Sequence, residues 1–233
     1  MPDFDVSLIG RNSNKKEEVL TMKSMPFVIT ISRQLGSGGA YIGQQLAKKL
    51  NIYYADREIL SKAAKQLAVV EEDLESRDEK LLSFWSSFFH INGYAEDYHL
   101  PPQMNFPFDR EIFDAEANAI KHIAREGSSV IMGRCGFHVL RDYPNRISLF
   151  LHADVAFRSK RVQELYNVSE KAALEMIEKS DRDRAHYIET FTGKKWTDAK
   201  HFDLTLDTGK IGLDKSVEFI LNYLESTNIS LKK

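Results

Sequence analysis

Short apolar segments alternate with helical patterns along most of this chain. The apolar segments are FVITI (27–31), IYYA (52–55), SSVIMG (128–133), ISLFLHA (147–153) and FDLTLDT (202–208). Continuous, β-rich runs of this length are typical of strands that are buried on both faces, as in a parallel sheet covered by helices. The alternation therefore predicts an α/β fold, a doubly wound parallel sheet flanked by helices.

Helical periodicity follows each apolar segment. Behind the first one, Ile42, Leu46 and Leu50 fall four apart, with two lysines on the other side, which is the stripe of a helix that packs back on the sheet. The other predicted helices are 57–69, 113–124 with an end at Gly127, 154–166 with Asp154 as N-cap, 169–192 with an end at Gly193, and 213–224.

The remaining segments divide the chain into an extension, a core, an insert and a lid. Residues 1–25 are polar and unpatterned, so we expect a flexible N-terminal extension, and residues 26–233 form one domain. The stretch 70–112 is acidic and then aromatic, and we interpret it as a partly helical insert whose exit, PPQMNFPF, is irregular. The highly charged helical stretch at about 170–196 is interpreted as a lid. The aromatic insert could also serve as the face of a homodimer.

Composition narrows the classes of function. The chain has 233 residues, 34 acidic against 32 basic, and a formal charge of -2, which argues against a nucleic-acid-wrapping protein or one that lies on an anionic membrane. No apolar run approaches the roughly 20 residues of a membrane helix. Its one cysteine, Cys135, excludes an internal disulfide and is interpreted as a small buried residue. Without the layout of a signal peptide at the start, we expect a cytoplasmic protein.

Three glycines follow the first predicted strand and open the first helix. Gly36, Gly38 and Gly39 permit positive φ and leave no Cβ in the way, so consecutive amides can converge on an anion at the start of the helix. The position between a buried strand and an amphipathic helix predicts a loop that binds phosphate. Arg33 and Ser37 are the nearest polar side chains, although Arg33 could equally be a surface residue at a strand end.

The loop lacks the usual Gly-Lys-Ser/Thr ending of a P-loop. It reads Gly38-Gly39-Ala40, without the lysine that bridges the β- and γ-phosphates or the hydroxyl that holds magnesium. Another group must then carry the positive charge. If none does, the loss should cost several kcal/mol of transition-state stabilisation.

Two arginine pairs are candidates for that charge, because a guanidinium stays ionised and binds phosphate bidentately. Arg158 and Arg161 lie three apart on one helix and share a face, and Arg182 and Arg184 lie in the lid. The alternative for both pairs is a solvated helix face with local ion pairs.

Two further polar residues directly follow predicted strands. Arg134 comes after VIMG and Asp56 after IYYA, so both should emerge at the same sheet edge as the glycine loop. The alternative for Asp56 is that it caps the next helix.

Several motifs together resemble the cytidylate kinase-like family, relatives of the nucleoside monophosphate kinases. They are ITISRQLGSGGAYIGQQLAKKL, YYADREIL, SSVIMGRCGFHVL, FRSKRV, EKSDRDRAHYIETFTGKKW and FDLTLDTGKIGL, which follow one another over about 27–225. The resemblance implies the P-loop kinase fold, ATP with Mg²⁺ as cofactors, an arginine-bearing lid, and transfer of the γ-phosphoryl group to a nucleotide. In that reading Arg182, Arg184, Arg158 and Arg161 are catalytic, Arg33, Gly36, Ser37, Gly38 and Gly39 hold the ATP phosphates, and Asp56 and Arg134 hold the acceptor.

The sequence departs from the family pattern at two places. Cys135 stands where true cytidylate kinases carry aspartate next to the acceptor, and Ala40-Tyr41 stand where relatives often carry Arg-Glu. Our first hypothesis is a kinase whose acceptor is CMP or dCMP. The alternatives are a kinase of the same fold with a different small acceptor, and a nucleotide-binding regulatory module without turnover.

Overall fold

A computed structural model describes residues 25–56 and 107–227. The predictions for residues 1–24, for the helix at 57–69 and for the insert as far as residue 106 lie outside the described residues.

The core is a five-stranded sheet in which every pairing is parallel. Its strands are β1 (Val28–Arg33), β2 (Tyr53–Ala55), β3 (Ser129–Met132), β4 (Arg146–His152) and β5 (Leu204–Asp207). The spatial order is β2-β3-β1-β4-β5. All five predicted strands are confirmed, and so is the parallel α/β class.

Seven α-helices and one 3-10 turn connect or follow these strands in the described residues. They are α1 (Gly39–Leu50), α2 (Pro107–Glu126), α3 (Gly136–Val139), α4 (Val155–Tyr166), α5 (Glu170–Thr192), the 3-10 turn Ala199–His201, α6 (Thr208–Ile211) and α7 (Leu213–Ser226). The short α3 and α6 have no counterpart among the predicted elements, because one helical turn is too short to show a periodic pattern.

Helices cover both faces of the sheet. On one face, α1 and α7 pack Ile42 and Ile220 against Ile29 and Leu149. On the other, α2 packs Ile120 and its neighbours against Val28 and β3. The sheet is therefore doubly wound, as the continuous apolar strands predict.

The predicted helix ends of the second half of the chain are confirmed. Asp154 caps α4 by accepting a hydrogen bond from the amide of Phe157 at 2.7 Å, and Ser169 caps α5. Gly193 ends α5 in the left-handed conformation with φ 66°. The long charged segment is thus one continuous helix.

The boundary of the insert requires a correction. The insert was predicted to extend through residue 112, with PPQMNFPF as its irregular exit, but α2 begins at Pro107. Proline is accepted in the first turn of a helix, where its missing N–H has no acceptor to reach, so it marks a start here. Among the residues that the model describes, no helix is both long and apolar enough to cross a membrane.

Candidate active site

The carboxyl ends of the strands bring the predicted site residues to one edge of the sheet. Because β1 lies between β3 and β4, the loop that follows Arg33 sits at the point where the strand order reverses. Ligands of open α/β sheets bind in the crevice at such a point. The loop after β1 is therefore placed where a phosphate loop would have to be.

The glycine loop has the backbone geometry that was expected of it. Gly36 and Gly38 have φ values of 82° and 81°, which favour glycine over any residue with a Cβ. Gly39 is the first residue of α1, and the first backbone bond into that helix runs from the amide of Ile42 to the carbonyl of Gly38 at 3.0 Å. The amides between them have no acceptor within the helix and point out of its N-terminus, which suits an anion.

The side chain of Ser37 is used inside the loop. It is fully buried, and its hydroxyl donates to the carbonyl of Gln34 at 2.8 Å. Its own carbonyl accepts from the hydroxyl of Thr208 at 2.7 Å. Its amide also donates to the carbonyl of Gln34, at 3.3 Å, so the structure gives Ser37 a part in shaping the loop.

Three arginines gather at this edge. Burial lowers the pKa of Arg33, and the charge of Arg134 lowers it further. Burial and the charge of Arg33 lower the pKa of Arg184 to about 9. Within the described part of the chain, Nη1 of Arg184 is buried and has no hydrogen-bond partner. A cluster of positive charges that includes a buried, unbonded N–H donor favours the binding of an anion.

Asp56 also lies at this edge, after β2. Its carboxylate raises the pKa of Arg33 and thereby offsets part of the repulsion. It accepts a hydrogen bond from the hydroxyl of Tyr54 at 3.4 Å. The structure therefore brings Asp56 together with Arg33 and Arg134, as the positions after the strands predict.

A buried carboxylate that the sequence analysis missed holds Arg134. Oε1 of Glu116 lies 3.3 Å from Nη1 of Arg134, and Glu116 is 1% exposed. The hydroxyl of Tyr187 donates to the same carboxylate. The available signal was a charged residue within the apolar stripe of α2, between Phe113 and Ile120.

A second carboxylate joins the lid helix α5 to the glycine loop. Oδ2 of Asp181 lies 2.6 Å from Nη1 of Arg158, and Oδ1 accepts from the amide of Leu35 at 3.3 Å. Arg158 also donates to the carbonyl of Leu35 at 3.4 Å. Arg184 lies 4.0 Å from Asp181, which is longer than a hydrogen bond. Arg158 is thus engaged by the protein itself, at the rim of the loop.

The two members of each predicted arginine pair lie in different surroundings. Arg182 is 65% exposed and pairs with Glu178 at 3.2 Å, so the structure does not bring it to the arginine cluster. The reason is geometric: residues two apart on a helix point about 200° apart, so Arg184 can face inward only if Arg182 faces out. Arg161 is half-buried on α4, and its Nε has no hydrogen-bond partner among the residues described.

The structure confirms Cys135 as a buried residue. It is 2% exposed and precedes α3 with φ 54°. Burial, and then the charge of Glu116, raise the pKa of its thiol to about 12. The thiol is therefore protonated at neutral pH and is a poor nucleophile.

Comparison with known proteins places this site in a family. The model of the cytidylate kinase-like family matches residues 28–210. A cytidylate kinase of Sulfolobus acidocaldarius is 24% identical over 205 residues, which are 86% of this chain and 96% of that protein. An S-adenosylmethionine-dependent nucleotide dehydratase of Lacinutrix mariniflava is 21% identical over 86% of this chain, but the match covers only 36% of that longer protein.

One solved structure supports the same fold. A protein of unknown function from Eubacterium ventriosum superposes with a TM-score of 0.65 at 28% identity, over 86% of this chain and 99% of that one. The family match spans the glycine loop, the arginine cluster and the lid helix, and thus covers the whole described site. The chain belongs to the cytidylate kinase-like family.

Proposed function

We propose that this protein is an ATP-dependent kinase that transfers the γ-phosphoryl group to a small phosphorylated acceptor, with CMP or dCMP as the first candidates. The observation that carries the proposal is the convergence of Arg33, Arg134 and Arg184 beside the glycine loop. There the charge of Arg134 lowers the pKa of Arg33, and the charges of Arg33 and Arg134 lower the pKa of Arg184. Phosphoryl transfer needs little beyond in-line positioning and positive charge around the migrating group. Kinase relatives within the family support the same reading.

The residues fit the phosphates of a nucleotide. The loop of Gly36, Gly38 and Gly39 offers amides at the start of a helix, and Nη1 of Arg184 offers a buried donor that has no hydrogen-bond partner among the described residues. Asp56 and Arg134, beside the same cluster, would hold the acceptor. An acceptor phosphate that is already ionised needs no general base, so the proposed reaction does not require any of these residues to accept a proton.

Magnesium would enter with the nucleotide. In the described ranges no group of three His, Cys, Asp or Glu side chains is placed to hold a metal ion. Mg²⁺ is usually held by one or two carboxylates together with substrate phosphates, so a dedicated cage is not required. Asp56 is the carboxylate at this edge that could assist. The ion would neutralise charge on the phosphates.

The test is ATP consumption in the presence of a panel of nucleoside monophosphates. We expect CMP or dCMP to stimulate consumption, and a chelator of magnesium to abolish it. Arg184→Gln should lower turnover by about 100-fold or more, since loss of an arginine that stabilises a phosphoryl transition state costs at least that much. Arg141→Gln, at an exposed arginine before β4, serves as the matched control.

A second candidate differs only in the acceptor. Cys135 replaces an acidic residue beside Arg134 and is buried, so this position offers no carboxylate to an acceptor's ribose. A kinase for another small acceptor would show ATP consumption with a compound outside the panel and none with CMP or dCMP. ATP binding without consumption under any acceptor would instead point to a regulatory module.

A further inference from the structure

The residues around the glycine loop match a P-loop motif in which two positions have been exchanged. The motif reads G-x-x-x-x-G-K-[ST]. With its second glycine at Gly38, its first glycine falls at Arg33 and its lysine at Gly39. The chain thus carries a cation where the motif has glycine, and glycine where the motif has its cation.

The structure explains why both cannot be present. A Cβ placed on Gly39 would lie 2.8 Å from Cβ and 2.7 Å from Cγ of Arg33. Real Cβ atoms essentially never come within 3.0 Å of another heavy atom. These two atoms are the root of the arginine side chain, so it cannot swing away as the tip of a flexible chain could. Only one of positions 33 and 39 can carry a side chain.

The guanidinium of Arg33 reaches across to the end of β3. A Cβ on Gly133 would lie 2.2 Å from Nη1 of Arg33, so the tip of the arginine passes directly over this residue, whose φ of 70° favours glycine. There the half-buried guanidinium joins Arg134 and Arg184. Keeping three cations together costs free energy that the carboxylate of Asp56 offsets in part, and an anion bound among them would offset more of it.

We propose that Arg33 replaces the missing P-loop lysine, contacting the terminal phosphates of the bound nucleotide from the other side of the loop, and that Gly39 is glycine to make room for it. This inference rests on the proposed function for the identity of the ligand. It adds the residue that carries the charge, and a steric reason for the absent lysine.

The test restores the usual P-loop arrangement, with glycine at position 33 and lysine at position 39. Affinities for ATP with Mg²⁺ and for inorganic pyrophosphate are measured by titration calorimetry on Arg33→Gln, Arg33→Lys, Gly39→Lys and the double variant Arg33→Gly with Gly39→Lys. Arg141→Gln is the control for loss of one positive charge. Circular dichroism and the melting temperature show whether each variant is folded.

Arg33→Gln should weaken the binding of both ligands by about 10- to 100-fold, the effect of losing one charge-assisted contact, and Arg33→Lys should recover part of it. Gly39→Lys alone should lower the melting temperature, because its Cβ overlaps Arg33. The double variant should recover both the melting temperature and, to within about tenfold of wild type, the affinity. A purely structural arginine does not predict that a lysine six residues away restores anion binding.

The outcomes separate the two proposals. Wild-type protein that binds pyrophosphate through Arg33 but does not bind ATP would overturn the kinase proposal and leave the role of Arg33 in place. Wild-type protein that binds ATP as tightly as a folded Arg33→Gln variant does would overturn the inference alone. A folded double variant that binds no better than Arg33→Gln would also overturn it. Failure of wild type to bind either ligand would overturn both.

Discussion

At the level of individual residues, the site is marked by arginines whose charge is largely buried. Arg134 and Arg158 are both largely buried, and each meets a buried or half-buried carboxylate, Glu116 and Asp181 respectively. Breaking such a pair by removing one partner is far more costly than losing a surface ion pair, since it leaves a charge without compensation. In the described part of the chain, the carboxylate that Arg184 meets is that of Asp181 at 4.0 Å, so its charge is less well compensated than those of Arg134 and Arg158.

The thiol of Cys135 should react slowly, and its raised pKa should make the free energy of unfolding fall at alkaline pH. With its pKa raised from 9.0 to about 12, the folded protein keeps a proton that the unfolded chain loses. The stabilisation is therefore complete below pH 9.0 and declines as the pH rises towards about 12. We expect the free energy of unfolding to fall less steeply over this range in Cys135→Ala than in wild type, as measured by urea denaturation.

The reactivity can be followed without interference because the chain has one cysteine. A chromogenic disulfide reagent at pH 8 should modify the native protein much more slowly than the protein in urea. Equal rates in the two conditions would contradict the burial of this thiol.

Among the elements, α5 matters most because it carries both the partner of the loop and a member of the cluster. Asp181 lies one turn before Arg184, and its bonds to Arg158 and to the amide of Leu35 dock the helix on the loop. The aromatic side chains of Phe113 and Phe191, stacked at 4.8 Å, dock the following turns on α2. The helix thus connects the glycine loop with α2.

Asp181→Asn should destabilise the protein by about 3 kcal/mol, because Arg158 is 6% exposed and would lose the carboxylate that it pairs with at 2.6 Å.

 Glu178→Gln, three residues earlier on the same helix, removes the same charge from an exposed pair and should change stability by no more than about 0.5 kcal/mol.

The measurement is urea denaturation of both variants beside wild type, followed by circular dichroism. Similar losses in the two variants would mean that the contact of Asp181 with the loop contributes no more than a surface ion pair. A loss confined to Asp181→Asn would support the docking of α5 through this residue.

In the molecule as a whole, residues after β5 pack on the glycine loop that follows β1. The hydroxyl of Thr208, after β5, lies 2.7 Å from the carbonyl of Ser37, which is 171 residues away in sequence. Leu213 packs so closely on Gly38 that a Cβ there would lie 2.4 Å from one of its methyl carbons. The shape of the loop therefore depends on the last strand and helix of the sheet, as well as on its own sequence.

Thr208→Val should cost about 1–3 kcal/mol, because it leaves the buried carbonyl of Ser37 without its donor while keeping the shape of the side chain. Thr205→Val, on the exposed face of β5, makes the same substitution without removing a buried hydrogen bond and should be nearly neutral. Urea denaturation measures both changes. Equal effects would show that the contact between Thr208 and the loop adds nothing to stability.

Much of the fold could be predicted from local patterns. The five strands, the stripe of α1, the cap at Asp154 and the end of α5 at Gly193 depend on residues a few positions apart, and these are confirmed. The start of α2 was placed too late, because three prolines near it are typical of an irregular segment, whereas the last of them opens the helix.

The sequence by itself determined the α/β class, the position of the glycine loop and the absence of a lysine at its end, because these depend on residue type and short-range periodicity. Only the tertiary structure decided which arginines meet. Arg33, Arg134 and Arg184 come from three distant parts of the chain, and helix phase turned Arg182 away from them. The overlap between Arg33 and a side chain at position 39 likewise depends on how β1 and α1 are placed in space. It could not be predicted from the spacing of the two residues in the sequence.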